Sequence, residues 1–284
     1  MSKLYIVATP IGNLGDISKR ALDVFNECDL ILAEDTRHTI KLLNYFNIKK
    51  RMESYHKFNE KWKAEQIVER IKTEDLTVCL VSDAGTPCIS DPGYEIVAFA
   101  HSNDIEVIGI PGPSAVIDAL SISGFEIDRF AFYGFLDRDS KQKEKIAEIG
   151  NSNIKTSVIY ESPHRLVKLI EKLAESFPNS AICICSDLTK LHERLIRGNI
   201  KDVLEKIKND ENIEKGEYVV ILQNQEVEEK TDEVKISVEA LLADKIVRDD
   251  CTMKEAIKKV VDEHGYSKNQ VYEASLNLKT KMSN

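Results

Sequence analysis

Val78-Cys79-Leu80-Val81 is apolar at every position, and the chain then runs straight into Ser82-Asp83-Ala84-Gly85-Thr86-Pro87-Cys88-Ile89-Ser90-Asp91-Pro92-Gly93. A strand without polar alternation needs cover on both faces, so this run belongs in a sheet sandwiched between helices. The loop behind it holds Gly85, Pro87, Pro92 and Gly93, with hydroxyls at Ser82, Thr86 and Ser90. Such a loop lets main chain approach a ligand at the carboxyl edge of the sheet.

Similar units surround it. Apolar strand signals fall at 4–8, 30–33, 77–81 and 106–110, and helical spacing at 18–26, 39–46, 64–72 and 94–103. Repeated strand, loop and helix predict a mostly parallel α/β domain over residues 1–121. A second α/β domain is expected over 122–226, with strands at 130–135, 157–160 and 181–185, helices at 141–149, 165–176 and 200–208, and 218–222 closing a mixed sheet. The polar, acidic stretch 227–236 reads as a linker. Residues 237–284 predict three helices. Thr252 with Glu255 and Ser267 with Gln270 match the capping box, and Gly265 is placed to end the middle helix. This module resembles a helix-turn-helix and suits either packing and dimerisation or a nucleic-acid contact.

Composition narrows the classes. With 284 residues and 42% hydrophobic content the chain can bury a sizeable core. No stretch approaches the roughly 20 apolar residues of a membrane span, and Pro10 interrupts the first apolar run, so a cytoplasmic protein without a membrane partner is expected. Cysteines 28, 79, 88, 183, 185 and 251 lack metal-ligand spacing and read mainly as buried thiols; no metal is expected. The net charge of -9 is uneven: residues 35–63 carry eight Lys or Arg against three acids, net +5, whereas 202–250 carry fifteen acids against seven bases, net -8. A local basic face can attract an anionic polymer despite the overall sign.

Four loops carry the chemistry-bearing residues. Thr9-Pro10-Ile11-Gly12-Asn13-Leu14-Gly15-Asp16 follows the first strand and lacks both the dinucleotide fingerprint and the Lys-Ser or Lys-Thr of a phosphate loop. Glu34-Asp35-Thr36-Arg37-His38-Thr39 follows the second, either as a local salt-bridge cluster or as a substrate-facing patch. Ile110-Pro111-Gly112-Pro113-Ser114-Ala115 supports the central loop. Tyr160-Glu161-Ser162-Pro163-His164-Arg165 supplies a further polar strand end from the second domain.

Taken together, Ala8 to Leu14, Ala33 to Thr39, Ser54-Tyr55-His56, Ser82 to Gly93, Ile110 to Ala115, Gly134-Phe135-Leu136, Tyr160 to Arg165 and Lys215-Gly216-Glu217 resemble the bacterial ribosomal RNA small-subunit methyltransferase I family. The likeness runs from residue 3 to about 222. It implies a two-domain tetrapyrrole methylase-like α/β fold, class III among S-adenosylmethionine methyltransferases, with a small helical module at the C-terminal end. It further implies a homodimer that uses S-adenosyl-L-methionine to methylate a cytidine ribose 2'-hydroxyl in small-subunit ribosomal RNA; the expected partner is that RNA, either in an assembled 30S particle or free. By that resemblance Pro10, Gly12, Asp83, Gly85, Thr86, Ile89, Ser90, Ser114, Ala115, Tyr160 and Leu188 surround the cofactor, and Arg37, His38, Lys41, Lys50, Arg51, His56, Lys57 and Arg165 face RNA. The chain departs from the family pattern at Asp137-Arg138-Asp139 and at Ser186-Asp187-Leu188-Thr189-Lys190.

Methyl transfer needs an in-line arrangement and a group that relieves the attacking oxygen of its proton. Asp35 or Glu161 is the expected acceptor, with Arg37 fixing the neighbouring phosphate. Two alternatives stay open: a small-molecule tetrapyrrole methylase of the same fold, and a non-catalytic RNA-binding or assembly factor.

Overall fold

A computed structural model describes residues 2–138, 140–224, 237–264 and 266–282. Two compact units divide at residues 228 and 229. The first contains two five-stranded sheets. The expected linker over 227–236, Asp139 and the helix-ending Gly265 lie outside the described residues.

The first sheet is wholly parallel and comprises β1 (Lys3–Val7), β2 (Leu30–Ala33), β3 (Met52–Ser54), β4 (Thr77–Val81) and β5 (Glu106–Ile110), in the order β3-β2-β4-β1-β5. Between them run α1 (Lys19–Glu27), α2 (Thr36–Tyr45), α3 (Glu60–Thr73) and α4 (Tyr94–Ser102). Because successive strand residues point to opposite faces, β2 and β4 split their apolar side chains between two cores. Leu30, Leu32, Val78 and Leu80 pack with α3 and α4 through Ile67, Ile71 and Ile96. Ile31, Ala33, Cys79 and Val81 pack with α1 and α2 through Val24, Phe25 and Leu43. Val78-Cys79-Leu80-Val81 is thus a covered strand, with β4 buried from Val78 to Val81.

α5 (Ala115–Ser123) leads from β5 to the second sheet. That sheet holds β6 (Phe130–Phe135), β7 (Thr156–Glu161), β8 (Ala181–Ser186), β9 (Arg194–Asn199) and β10 (Tyr218–Gln223), ordered β6-β7-β10-β8-β9. β6 and β7 are parallel and the remaining pairs antiparallel. The last strand therefore enters the middle of the sheet rather than closing it at an edge. Helices α6 (Ser140–Asn151), α7 (Pro163–Ser176) and α8 (Ile200–Lys208) cover one face, and α5 covers the other through Val116, Ala119 and Leu120.

The second unit packs α9 (Val238–Arg248), α10 (Met253–His264) and α11 (Lys268–Met282) around Leu242, Ala256, Val260 and Val271. Thr252 N–H donates to Glu255 Oε2 at 2.9 Å and Ser267 N–H to Gln270 Oε1 at 3.1 Å; at Ser267 the box closes, with Oγ accepting from the Gln270 N–H at 3.4 Å, whereas the Thr252 hydroxyl donates to Glu255 at 2.7 Å. Among the described helices none is long and apolar enough to cross a membrane.

Candidate active site

The loops after β1, β4 and β5 meet at the carboxyl edge of the first sheet. Thr9 and Gly85 exchange main-chain hydrogen bonds of 2.9 and 3.0 Å, and Thr86 Oγ1 donates to the Pro113 carbonyl at 3.1 Å. Gly85 has φ +76°, which an L side chain rarely adopts, and that turn returns its main chain to the first loop. The β2 end joins through Asp83, whose carboxylate accepts from the Asp35 N–H at 3.0 Å.

Beside these loops lies a cavity of about 460 Å3, walled on its other side by the second sheet through Tyr160, Glu161, Leu188 and Val219. Asp83, Gly85, Thr86, Ile89, Ser90, Ser114, Ala115, Tyr160 and Leu188 all line it. Pro10 and Gly12 do not. Gly12 instead lets the first loop approach the 188–190 segment, where an added Cβ would lie 2.6 Å from Lys190 Cγ and 3.1 Å from the Leu188 carbonyl oxygen. On the same side Lys190 Nζ holds Asp187 at 2.9 Å and Glu217 at 3.0 Å, bracing two loops of the second sheet.

Among the described residues the lining contains the carboxylates Glu34, Asp83, Asp91, Glu161 and Glu217 and no Lys, Arg or His. Burial, reinforced by Asp91 and Asp83, raises the Glu34 carboxyl, and burial with Asp83 nearby raises Asp91. Neighbouring carboxylates in a half-enclosed space favour a cationic guest and disfavour phosphate. Apolar surface comes from Ile11, Ile89 and Leu188. The rings of Phe132 and Phe135 lie 4.9 and 5.5 Å from that of Tyr160, whose phenol is pushed up to about 12 by burial.

The expected proton acceptors differ sharply. Asp35 caps α2, which starts at Thr36 rather than Thr39, so Arg37 and His38 stand in a helical first turn. The Asp35 carboxylate accepts from the Arg37 N–H at 2.8 Å and pairs with the guanidinium at 2.6 Å. Those hydrogen bonds hold it far below the usual carboxylate range. Glu161 ends β7 with a fully buried side chain. Oε1 accepts from the Ser162 N–H at 2.8 Å, while Oε2, 3.2 Å from Arg165 Nη2, makes no hydrogen bond among the described residues. Burial raises its carboxyl, only partly offset by the Ser162 N–H and Arg165.

Residues expected to face RNA separate into groups. Arg37, Lys41, Arg51 and Lys57 are exposed, and His38 Nδ1 lies 3.7 Å from Asp83. Lys50 is tied to the Cys28 carbonyl at 2.7 Å, and the His56 main-chain N–H donates to Asn59. Arg165 turns inward, donating to the Leu136 carbonyl at 2.7 Å beside Glu161. Sequence reasoning did not single out Glu34 or Asp91 as cavity residues, or Phe135 and Gly216 beyond their motifs. Gly216, at φ +93° with Asp187 Oδ2 2.2 Å from where a Cβ would lie, is the one whose residue type carried a signal.

Residues 3–204 match the family model described as Tetrapyrrole (Corrin/Porphyrin) Methylases. The chain is 40% identical over 275 residues to the Haemophilus influenzae ribosomal RNA small subunit methyltransferase I, covering 96% of each chain. A diphthine synthase crystal structure superposes with TM-score 0.60 at 15% identity, over 78% of this chain and 90% of that one. The Thermus thermophilus uroporphyrin-III C-methyltransferase complexed with S-adenosyl homocysteine gives 0.54 at 16%, over 78% and 97%.

Proposed function

The chain belongs to the ribosomal RNA small subunit methyltransferase I family, within the tetrapyrrole methylases, and from that premise we propose that it methylates a cytidine ribose 2'-hydroxyl in small-subunit ribosomal RNA. S-adenosyl-L-methionine is the methyl donor. The observation that carries this reading is the acid-lined cavity without a basic side chain. When bound, S-adenosylmethionine supplies an electrophilic methyl group on a sulfonium cation. Glu34, Asp83 and Asp91 suit its positive charge, Ile11, Ile89 and Leu188 its apolar parts, and the Gly85, Ser114 and Ala115 main chain its polar edges.

Glu161 is the proton acceptor in this proposal. A base must not be over-stabilised as its anion. Both carboxylates pair with an arginine, but hydrogen bonds from Arg37 over-stabilise Asp35 as its anion, whereas burial outweighs Arg165 at Glu161. Glu161 is a cavity-lining residue whose buried Oε2 pairs with Arg165 at 3.2 Å and makes no hydrogen bond among the described residues. Arg165 then positions Glu161 from behind, and Arg37, 86% exposed beyond its pairing with Asp35, offers its outer edge to a phosphate. The working form is a cytoplasmic homodimer acting on the 30S particle. Incubation with methyl-labelled S-adenosylmethionine and 30S subunits from a strain lacking the protein, followed by mass mapping of the RNA, should place the label on one ribose. Label on a base, or only on an added porphyrinoid, would refute the assignment.

A further inference from the structure

Phe58 is 92% exposed and Trp62 is 57% exposed, although both are large apolar side chains. The chain turns at residues 57–59, closed by the Glu60 N–H donating to the His56 carbonyl at 3.0 Å, and α3 begins at Glu60 behind its N-cap Asn59. Phe58 lies in that turn, its ring edge-on to His56 with centroids 6.1 Å apart, and Trp62 lies in the first turn of α3, so both exposed aromatics share the short stretch 57–62 with Lys57 and Lys61. Both lysines are exposed, and neither forms an ion pair among the described residues. Glu60 is the one acid between 57 and 64, and its Oε2 accepts from the Gly93 N–H at 3.2 Å. That contact ties the start of α3 to the loop that walls the cavity. The preceding turn is braced as well: Asn59 Oδ1 accepts from the His56 N–H at 2.8 Å, and Asn59 Nδ2 donates to the Ser54 carbonyl at 3.3 Å.

We propose that Phe58 and Trp62, flanked by Lys57 and Lys61, form a stacking platform for unpaired bases of the RNA substrate beside the cofactor cavity. The inference rests on the RNA-methylating function above and adds the surface that holds the substrate strand. Unstacked bases are recognised by aromatic faces, with lysines answering the phosphates between them. A second copy of the chain fits less well. A two-fold contact centred on the patch would oppose Lys57 and Lys61 with their own copies, whereas a phosphate backbone supplies the missing negative charge.

Trp62 is the only tryptophan in the chain, so its fluorescence reports on the platform directly. Titration of the full-length protein with an unstructured oligoribonucleotide should quench that emission, more strongly than the same length of duplex, and the affinity should fall with salt. Phe58→Ala should weaken the oligoribonucleotide about tenfold and raise KM for 30S subunits, leaving S-adenosylmethionine affinity unchanged, and Phe58→Tyr should restore both. Lys57→Ala with Lys61→Ala should flatten the salt dependence. Unmoved fluorescence, or unchanged RNA affinity in Phe58→Ala, overturns the platform even if the wild type methylates ribosomal RNA. Dissociation of an oligomer by Phe58→Ala with RNA affinity intact overturns it in favour of a protein contact. Quenching by RNA without any methyl transfer from the wild type would keep the platform and refute the methyltransferase reading.

Discussion

Glu161 and Asp35 are both carboxylates at strand ends, and their surroundings drive them in opposite directions. Asp35 is stabilised as an anion by Arg37, while Glu161 is destabilised as one by burial. Glu161→Gln should therefore lower kcat at least about 100-fold, the low end for a lost general base, with S-adenosylmethionine binding retained in calorimetry. In the wild type the acid limb of the kcat profile should fall above the ordinary glutamate range of about 4.3, because burial raises the group that must be ionised. Asp35 predicts a different pattern. Asp35→Asn keeps a capping oxygen and should leave thermal stability nearly unchanged, whereas Asp35→Ala should lower Tm by ~3 °C in a melting scan. Equal Tm for the two variants would show that the cap contributes nothing. Both should retain the acceptor and lose mainly RNA affinity, as Arg37 loses its anchor.

Among the elements, the β4 loop and the capped helices had the clearest sequence signals, because glycine, proline and capping residues act locally. Gly85 illustrates the local rule: a Cβ there would lie 3.4 Å from Ile11 Cγ2, but the positive φ itself disfavours any side chain. Gly85→Ala should cost about 1–2 kcal/mol of stability, read by urea unfolding, and reduce cofactor affinity by displacing the bridge to Thr9. In the second unit Thr252→Ala should remove about 1 kcal/mol from the α10 start, seen as faster amide exchange in α10 with cofactor affinity unchanged. Two strands escaped the sequence reading for physical reasons. β3 is three residues long at a sheet edge, and β9 alternates partly buried with exposed positions, so neither shows a continuous apolar run. The α2 start was read three residues late because Asp35, Arg37 and His38 suggest a polar loop as readily as a capped first turn.

At the scale of the whole molecule, the cavity concentrates carboxylates where water is partly excluded, and that arrangement opposes stability. Glu34 and Asp91 have folded-state values raised above their unfolded ones, so their contribution is most favourable below the unfolded values and is lost as pH rises through the folded ones. Asp91→Asn should accordingly raise Tm by ~2 °C at neutral pH, with the gain shrinking toward pH 4, while S-adenosylmethionine affinity falls. A Tm gain independent of pH would mean that charge is not the cause. The sequence alone determined eight of the ten strands, the three helices of the second unit and the glycine- and proline-rich loops after β1, β4 and β5, since apolar periodicity and turn chemistry are local properties. Tertiary structure decided that Glu161 is buried beside Arg165 while Asp35 stays at the surface, that Arg165 turns inward, that Gly12 serves the approach of two loops, and that Phe58 and Trp62 stay uncovered. Those outcomes depend on burial and on partners as far apart in sequence as Gly12 and Lys190, and no pattern along the chain encodes either.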